Sequence, residues 1–296
     1  RELFHKHPWS IGGGGAAELK EQLEESAENR LVNLANAIGI TSVTGEDDLY
    51  VQPLEALRRR SFEFARRLVV GDVVRDWTID SGESSIWLYD DRFQLISLDD
   101  LPRTFRHIWP YRIAISKRKR FGTPMLDRGL TWYEWQELYS DKLRTPLSIV
   151  FGEVATHNHF VLDRGGKGFK QTAPVIKLPP GSTEDDHLAL LGLLNSSTAC
   201  FWMKQVCHNK GSTVDQHGAR QRTSPFEDFY AFNATKLASL PLAGIKPTDR
   251  ARKLDELAQQ LQSQSPDRRL KDWHARGDQN GRSEEHTSEL QSHSDL

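Results

Sequence analysis

Between Pro102 and Met125 the chain carries Arg103, Arg106, Arg112, Lys117, Arg118, Lys119 and Arg120 without one acidic residue, and Phe105, Trp109, Tyr111 and Phe121 interleave with them. Cations at this density attract phosphates, and flat rings among them offer surfaces on which unstacked bases can rest. Packing into an apolar core would account for Trp109 and Tyr111 equally well. It would not account for 117–120, since four adjacent charges are too costly to bury together and are expected to face water or a polyanion. Two further segments have related chemistry. Arg164-Gly165-Gly166-Lys167-Gly168-Phe169-Lys170 reads as a flexible cationic loop suited to a sugar-phosphate backbone. Residues 209–225 read as a polar loop offering Lys210, Gln216, His217, Arg220, Gln221 and Arg222, side-chain types that pair with guanine and adenine edges. The candidate DNA-binding set is therefore Arg112, Lys117, Arg118, Lys119, Arg120, Lys167, Lys170, Lys210, Arg220 and Arg222.

No catalytic residue and no metal ligand is assigned. Cys200, Cys207 and His208 have a Cys-x6-Cys-His spacing, outside the paired-ligand spacings of structural zinc, and each thiol reads as a buried core group. His157 and His159 alternate along a strand end, with a surface or turn role expected. Gly12 to Gly15 precede a helix and could present backbone N–H groups to a phosphate, but the Gly-Lys-Ser/Thr ending of a P-loop is missing and no strand leads in. A flexible entry into the helix is the expected role.

The balance of charge points the same way as the motifs. A net charge of −2 over 296 residues conceals −8 across residues 1–101 and +8 across 102–222. A local excess of this size attracts a polyanion with salt-sensitive affinity, although an ordinary solvated surface would carry it too. Hydrophobic content of 37% and charged content of 27% suit a water-soluble chain with room for a substantial core in one or two domains. No apolar run is long enough to span a bilayer, and two cysteines fit a reducing, cytoplasmic setting. Arg1 is not an initiator, so the sequence is expected to start inside a larger protein or after processing.

These side chains need elements to hold them. Gln171 to Cys207 reads as the organising unit. Val175 to Leu178 forms a strand ended by Pro179-Pro180-Gly181, Ser182 and Thr183 supply N-cap hydroxyls with Asp185 and Asp186 three residues on, and Leu188, Leu190, Leu191 and Leu194 follow at helical spacing. Asn195-Ser196-Ser197 interrupts, and Phe201, Trp202 and Val206 carry a second helix. Strands at 148–155 and 159–163 are expected to join the sheet of 175–178. Upstream, helices are expected over 16–37 and 53–67, strands over 69–79, 85–89 and 93–98, and an aromatic helix opening at Thr131-Trp132-Tyr133-Glu134-Trp135. Downstream, 252–264 reads as an amphipathic helix stopped by Pro266.

The phrases Val175-Ile176-Lys177-Leu178-Pro179, Leu193-Leu194-Asn195-Ser196-Ser197, Phe201-Trp202-Met203-Lys204 and Phe232-Asn233-Ala234-Thr235-Lys236-Leu237 with Leu240-Pro241, together with His7-Pro8-Trp9-Ser10-Ile11 and His208-Asn209-Lys210-Gly211, resemble the C-terminal target-recognition part of large adenine-specific DNA methyltransferases, of the PglX type of the phage growth limitation (BREX) antiphage systems. The resemblance covers about residues 1 to 245. It implies an α+β fold: a mixed sheet-and-helix target-recognition domain over 101–245, an acidic helical and β connector over 1–100, and a C-terminal helix and tail over 246–281. Residues 282–296 resemble the translation of a sequencing-library adapter and are set aside. The resemblance also implies double-stranded DNA as partner, other defence-system proteins as further partners, and S-adenosylmethionine as cofactor of the parent enzyme. This stretch has neither the glycine-bearing cofactor loop nor the Asn/Asp-Pro-Pro-Tyr/Phe segment that grips a flipped adenine; Leu178-Pro179-Pro180-Gly181 has only the prolines. It is expected to be inactive alone and to hold no cofactor. The specificity half of a fused restriction-modification enzyme, and a scaffold docking an acidic partner protein, are the competing readings.

Overall fold

The computed structural model describes residues 14–80, 83–211 and 228–265. It is an α+β fold, as the sequence leads one to expect. Its centre is an antiparallel sheet ordered Phe160–Asp163, Ser148–Phe151, Val175–Lys177, Ala37–Gly39. Successive side chains of a strand point to opposite faces. Here Ile149, Phe151, Phe160, Leu162 and Ile176 meet the helices on one side, while Val150, Val161 and Val175 meet Val69, Val74, Phe169 and Ala173 on the other. Both faces are dry, which explains why these strands are almost uniformly apolar.

The helical layer is the one the leucine spacing predicts. Glu184–Leu194 is started by Thr183 and Asp186 in a reciprocal capping box and buries Leu188, Leu190, Leu191 and Leu194. Asn195 ends it because its amide is used elsewhere: Oδ1 accepts from Phe160 N at 3.0 Å and Nδ2 donates to Phe160 O at 2.9 Å, tying the break to the edge strand. Ser196 then caps Ser197–Val206, which buries Trp202, Met203 and Val206. Burial pushes the Cys207 thiol up to about 12, so this cysteine is an inert core group.

A second four-stranded sheet is ordered Lys167–Phe169, Ala65–Val69, Glu83–Ile86, Val51–Pro53, its first pair parallel. It packs on a separate cluster that includes Tyr50, Leu57, Leu68, Trp87, Tyr89, Ile108, Ile115 and Trp135. A third sheet joins Val154–Ala155, Phe229–Ala231 and His208–Gly211. Among the described residues, no helix is long and apolar enough to cross a membrane.

Several expected boundaries shift. Strands from within 1–100 pair with later ones: Ala37–Gly39 lies in the central sheet, and Ala65–Val69 pairs with Lys167–Phe169. The helix expected over 16–37 stops at Glu25, because Asn29 and Arg30 pair with Leu242 and Pro241 and Leu31 is buried in the main cluster. Tertiary partners override local helix propensity there. The helix expected over 53–67 covers Leu54–Arg59, after which the chain turns into a strand. The last helix, expected over 252–264, is Thr248–Ser263.

Thr183→Ala is expected to lower stability by about 1 kcal/mol, the usual cost of a lost N-cap. Hydrogen bonds from Thr183 hold the Asp186 carboxyl below its ordinary value, so this contribution is present above the unfolded carboxyl pKa and fades as pH falls through the folded one. Urea midpoints at neutral and acid pH would show the variant's deficit at the first and its shrinkage at the second.

Candidate nucleic-acid interface

The basic segment 102–125 folds as one continuous path. Pro102–Ile108 is a helix with proline in its first turn, where no amide hydrogen is needed. Its cap comes from far away in sequence: the Glu63 carboxylate accepts from Arg103 N at 2.6 Å, Thr104 N at 3.1 Å and the Thr104 hydroxyl at 2.7 Å. Burial would raise the Glu63 carboxyl, but these donors outweigh it and hold the group below its usual value. A 3-10 turn, Trp109–Tyr111, leads to the short helix Arg112–Ser116 and then to a hairpin of Lys119–Arg120 and Thr123–Pro124.

Thr104, Ile108 and Ile115 face inward. Arg103, Arg106, Lys117 and Lys119 are exposed, with Arg112 half-buried. Trp109 and Tyr111, which an apolar core could equally have claimed, are exposed, as is Phe105, and Phe121 is 91% exposed. Phe105 lies 5.0 Å from Trp109 between ring centroids, Trp109 lies 6.0 Å edge-on from Trp132, and the Arg112 guanidinium sits 4.2 Å from the Trp109 ring centre. These contacts make a ledge of rings bordered by cations. Arg106, Arg112, Lys117 and Lys119 form no ion pair among the described residues.

Arg118 corrects the expectation that 117–120 all face outward. It is 7% exposed, and its guanidinium donates to the carbonyls of Ile115 at 2.9 Å, Thr44 at 2.6 Å, Trp132 at 3.0 Å and Glu134 at 2.8 Å. Four carbonyl dipoles replace the water it has lost, which makes burial of this charge tolerable. The same bonds explain why the aromatic helix expected from Thr131 does not form: carbonyls of Trp132 and Glu134 that a helix would use internally are turned to Arg118 instead. Tyr50 lies beneath, its hydroxyl donating to Tyr133 O at 2.7 Å and pushed up to about 12 by burial, with Arg118 opposing that shift. Arg118 is an anchor and does not reach a ligand.

The anchor roots the hairpin. Met125 N donates to Arg118 O at 3.1 Å, Gln136 Nε2 to Lys119 O at 2.5 Å, and Arg120 lies 3.3 Å from the Glu137 carboxylate. Arg120 thus keeps an acidic partner and is only in part available to phosphates.

The 164–170 segment is not the free loop its glycines suggest. Lys167–Phe169 is a strand in the second sheet. Lys167 pairs with Asp163, Lys170 with Asp47 at 2.6 Å, and Arg164 with Glu184 at 2.6 Å. Lys167 and Lys170 are therefore engaged at home. Lys210 is exposed on His208–Gly211, whose pairing with Phe229–Ala231 brings together the two ends that flank 212–227. Arg220, Arg222 and the rest of the expected base-reading loop lie outside the described residues, as do residues 1–13.

Among the described residues one group could hold a metal ion: Asp76, His157 and His159, whose ligand atoms lie within 4.8 Å of one another. Asp76 Oδ1 is 2.7 Å from His159 Nδ1, and Oδ2 is 3.9 Å from His157 Nε2. The hydrogen bond to His159 already gives the carboxylate a partner and fastens the turn between Val74–Arg75 and Thr78–Ile79 to the edge strand. Burial, and next the neighbouring His159, hold the His157 pKa below its ordinary value.

No protein-family model matches the sequence. Over 270 residues, 90% of this chain, it is 42% identical to the adenine-specific methyltransferase PglX of Streptomyces coelicolor, and the match spans 22% of that relative's length. Two solved structures show distant likenesses. The type IIL restriction-modification enzyme MmeI, solved in complex with DNA, gives a TM-score of 0.47 at 15% identity over 81% of this chain and 29% of its own. The type IIG restriction endonuclease BpuSI gives 0.46 at 9% identity over 83% and 28%.

Replacing Arg118 with methionine leaves four inward-facing carbonyls without their donor and is expected to cost about 3 kcal/mol or more, read as a lowered denaturant midpoint. Lys117→Ala and Lys119→Ala, at exposed positions, are expected to leave the midpoint within about 0.5 kcal/mol.

Proposed function

We propose that this chain is the target-recognition part of a site-specific adenine-N6 DNA methyltransferase of the PglX kind, belonging to a BREX-type antiphage system in the cytoplasm. The observation that carries the reading is the 42% identity to PglX along nearly the whole chain. The acid-free, outward-facing surface of 103–120 supports it, because affinity for a duplex comes first from cations facing its phosphates.

The work of this chain is positional. Arg106, Arg112, Lys117 and Lys119, which have no acidic partner among the described residues, hold the sugar-phosphate backbone; Arg103 and Lys210 extend that contact. Trp109 and Tyr111 lie against the duplex with Arg112 fixed between backbone and ring. Polar side chains of the 209–222 loop, with Arg220 and Arg222, read base edges. Methyl transfer takes place on a catalytic domain outside this stretch, which binds S-adenosylmethionine and flips the adenine. Modification of host DNA then marks it as self, and other proteins of the defence system act on DNA that lacks the mark.

A duplex-binding titration over a range of salt tests this. Binding is expected to weaken steeply with salt, and reversing Lys117 and Lys119 to glutamate should reduce affinity on all sequences and lower the salt slope by roughly one per lost phosphate contact. Lys167→Ala and Lys170→Ala are expected to change it much less, since both cations are already paired. Arg220→Ala or Arg222→Ala should relax sequence preference. Binding that is absent, or indifferent to salt and to the Lys117 and Lys119 reversals, would reject the assignment and favour a protein-docking scaffold.

A further inference from the structure

Among the described residues, four other than glycine have positive φ: Ser61, Trp77, Phe93 and Phe121. Three of them are explained inside the fold. Ser61 ends the helix Leu54–Arg59, its amide donating to Arg58 O at 2.9 Å and its own carbonyl accepting from Arg103. Trp77 packs on the main cluster and donates to Phe160 O at 3.2 Å, and Phe93 packs edge-on against Trp87 at 6.1 Å. Phe121 has no such explanation. It stands with Gly122 at the tip of a two-residue hairpin, φ 49° and 85°, and it is 91% exposed.

Positive φ at both loop positions is the pattern of the type I′ hairpin turn, which favours Asn-Gly or Gly-Gly because an L side chain crowds its own backbone there. An aromatic ring at the first position weakens the turn and gains no internal burial in exchange. Such strain persists only where surrounding structure imposes it, and it concentrates where function needs it. The imposing structure is present: Gln136 binds Lys119 O, Glu137 pairs with Arg120, and buried Arg118 fixes the hairpin's root. The ring is flanked by cations, with the Arg120 guanidinium 4.5 Å from its centre and Lys119 exposed beside it. A rigid arm with an apolar ring at its tip and cations on its stem suits one occupant, a base step of duplex DNA, where the ring enters the stack and the cations meet the flanking phosphates.

We propose that Phe121 is a wedge that inserts between base pairs and opens the duplex locally. This rests on the DNA-recognition reading above and goes further by naming the contact that deforms the DNA.

The test is Phe121→Asn, which restores favoured turn chemistry while removing the ring. With the full chain, a short mixed-sequence duplex containing TA steps and 2-aminopurine serves as the probe. The wild-type protein is expected to raise 2-aminopurine fluorescence as bases unstack. The variant is expected to keep or raise its thermal midpoint, bind about tenfold or more weakly, retain the same salt slope and leave the fluorescence low. Phe121→Trp should retain both binding and the fluorescence rise. Salt-dependent binding by both proteins with equal affinity and equal fluorescence would overturn the wedge and leave DNA recognition standing. No binding by the wild-type protein would overturn both.

Discussion

The guanidinium of Arg118 is taken out of water and given to four backbone carbonyls drawn from three separate stretches of chain, at 44, 115 and 132–134. Removing a charge from water costs several kcal/mol, and that cost is offset only when its donors are filled with good geometry. The arrangement is therefore sharply specified. A lysine in the same place would present one point charge where a planar fork is needed. With this contact made, the helix Arg112–Ser116, the segment around Trp132 and the hairpin after Arg118 take fixed positions around it. The exposed side chains of that region are carried on a frame that the buried cation holds.

The basic excess of the middle of the chain sorts into three kinds once the fold forms. Arg118 and Lys177 are buried and structural; Lys177 donates to Thr145 O, Leu147 O and the Ser148 hydroxyl, and burial holds its pKa down to about 8. Lys167, Lys170, Arg164, Arg120 and Arg128 are matched with Asp163, Asp47, Glu184 and Glu137. Arg106, Arg112, Lys117 and Lys119 represent a third kind, cations without an ion pair among the described residues. A polyanion feels chiefly the last group, since a neutralised pair projects little field beyond a Debye length of roughly 10 Å. Formal charge by sequence segment overstates the field, because part of that charge is buried or paired once the chain folds.

Tolerance of strain at Phe121 follows from the same frame. A hairpin held only by its own two pairs of residues could relax a crowded turn. One whose first strand is pinned by Gln136 and Glu137, and whose root is Arg118, has less freedom to do so. The anchor and the exposed ring are thus related as support and tip.

Local chemistry was enough to specify the central unit. The apolar residues of 149–151 and 175–176, the Thr183 to Asp186 spacing and the leucines behind it each fix their element from within a few residues, although the strand expected over 148–155 ends at Phe151 and Val154–Ala155 joins the third sheet. The acid-free basic stretch was also legible, because composition needs no fold. What the sequence could not decide was which side chains of that stretch would be used inside. Arg118 and Lys119 are neighbours of the same charge, and only Arg118 finds carbonyls converging from distant segments. Trp132 to Trp135 has a helical look that fails because its carbonyls are claimed from 14 to 16 residues away in sequence. The glycines of 164–170 suggest a loose loop, but a parallel neighbour at Ala65–Val69 makes part of it a strand. In each case the deciding partner is remote along the chain, and a remote partner's position exists only once the tertiary structure has formed.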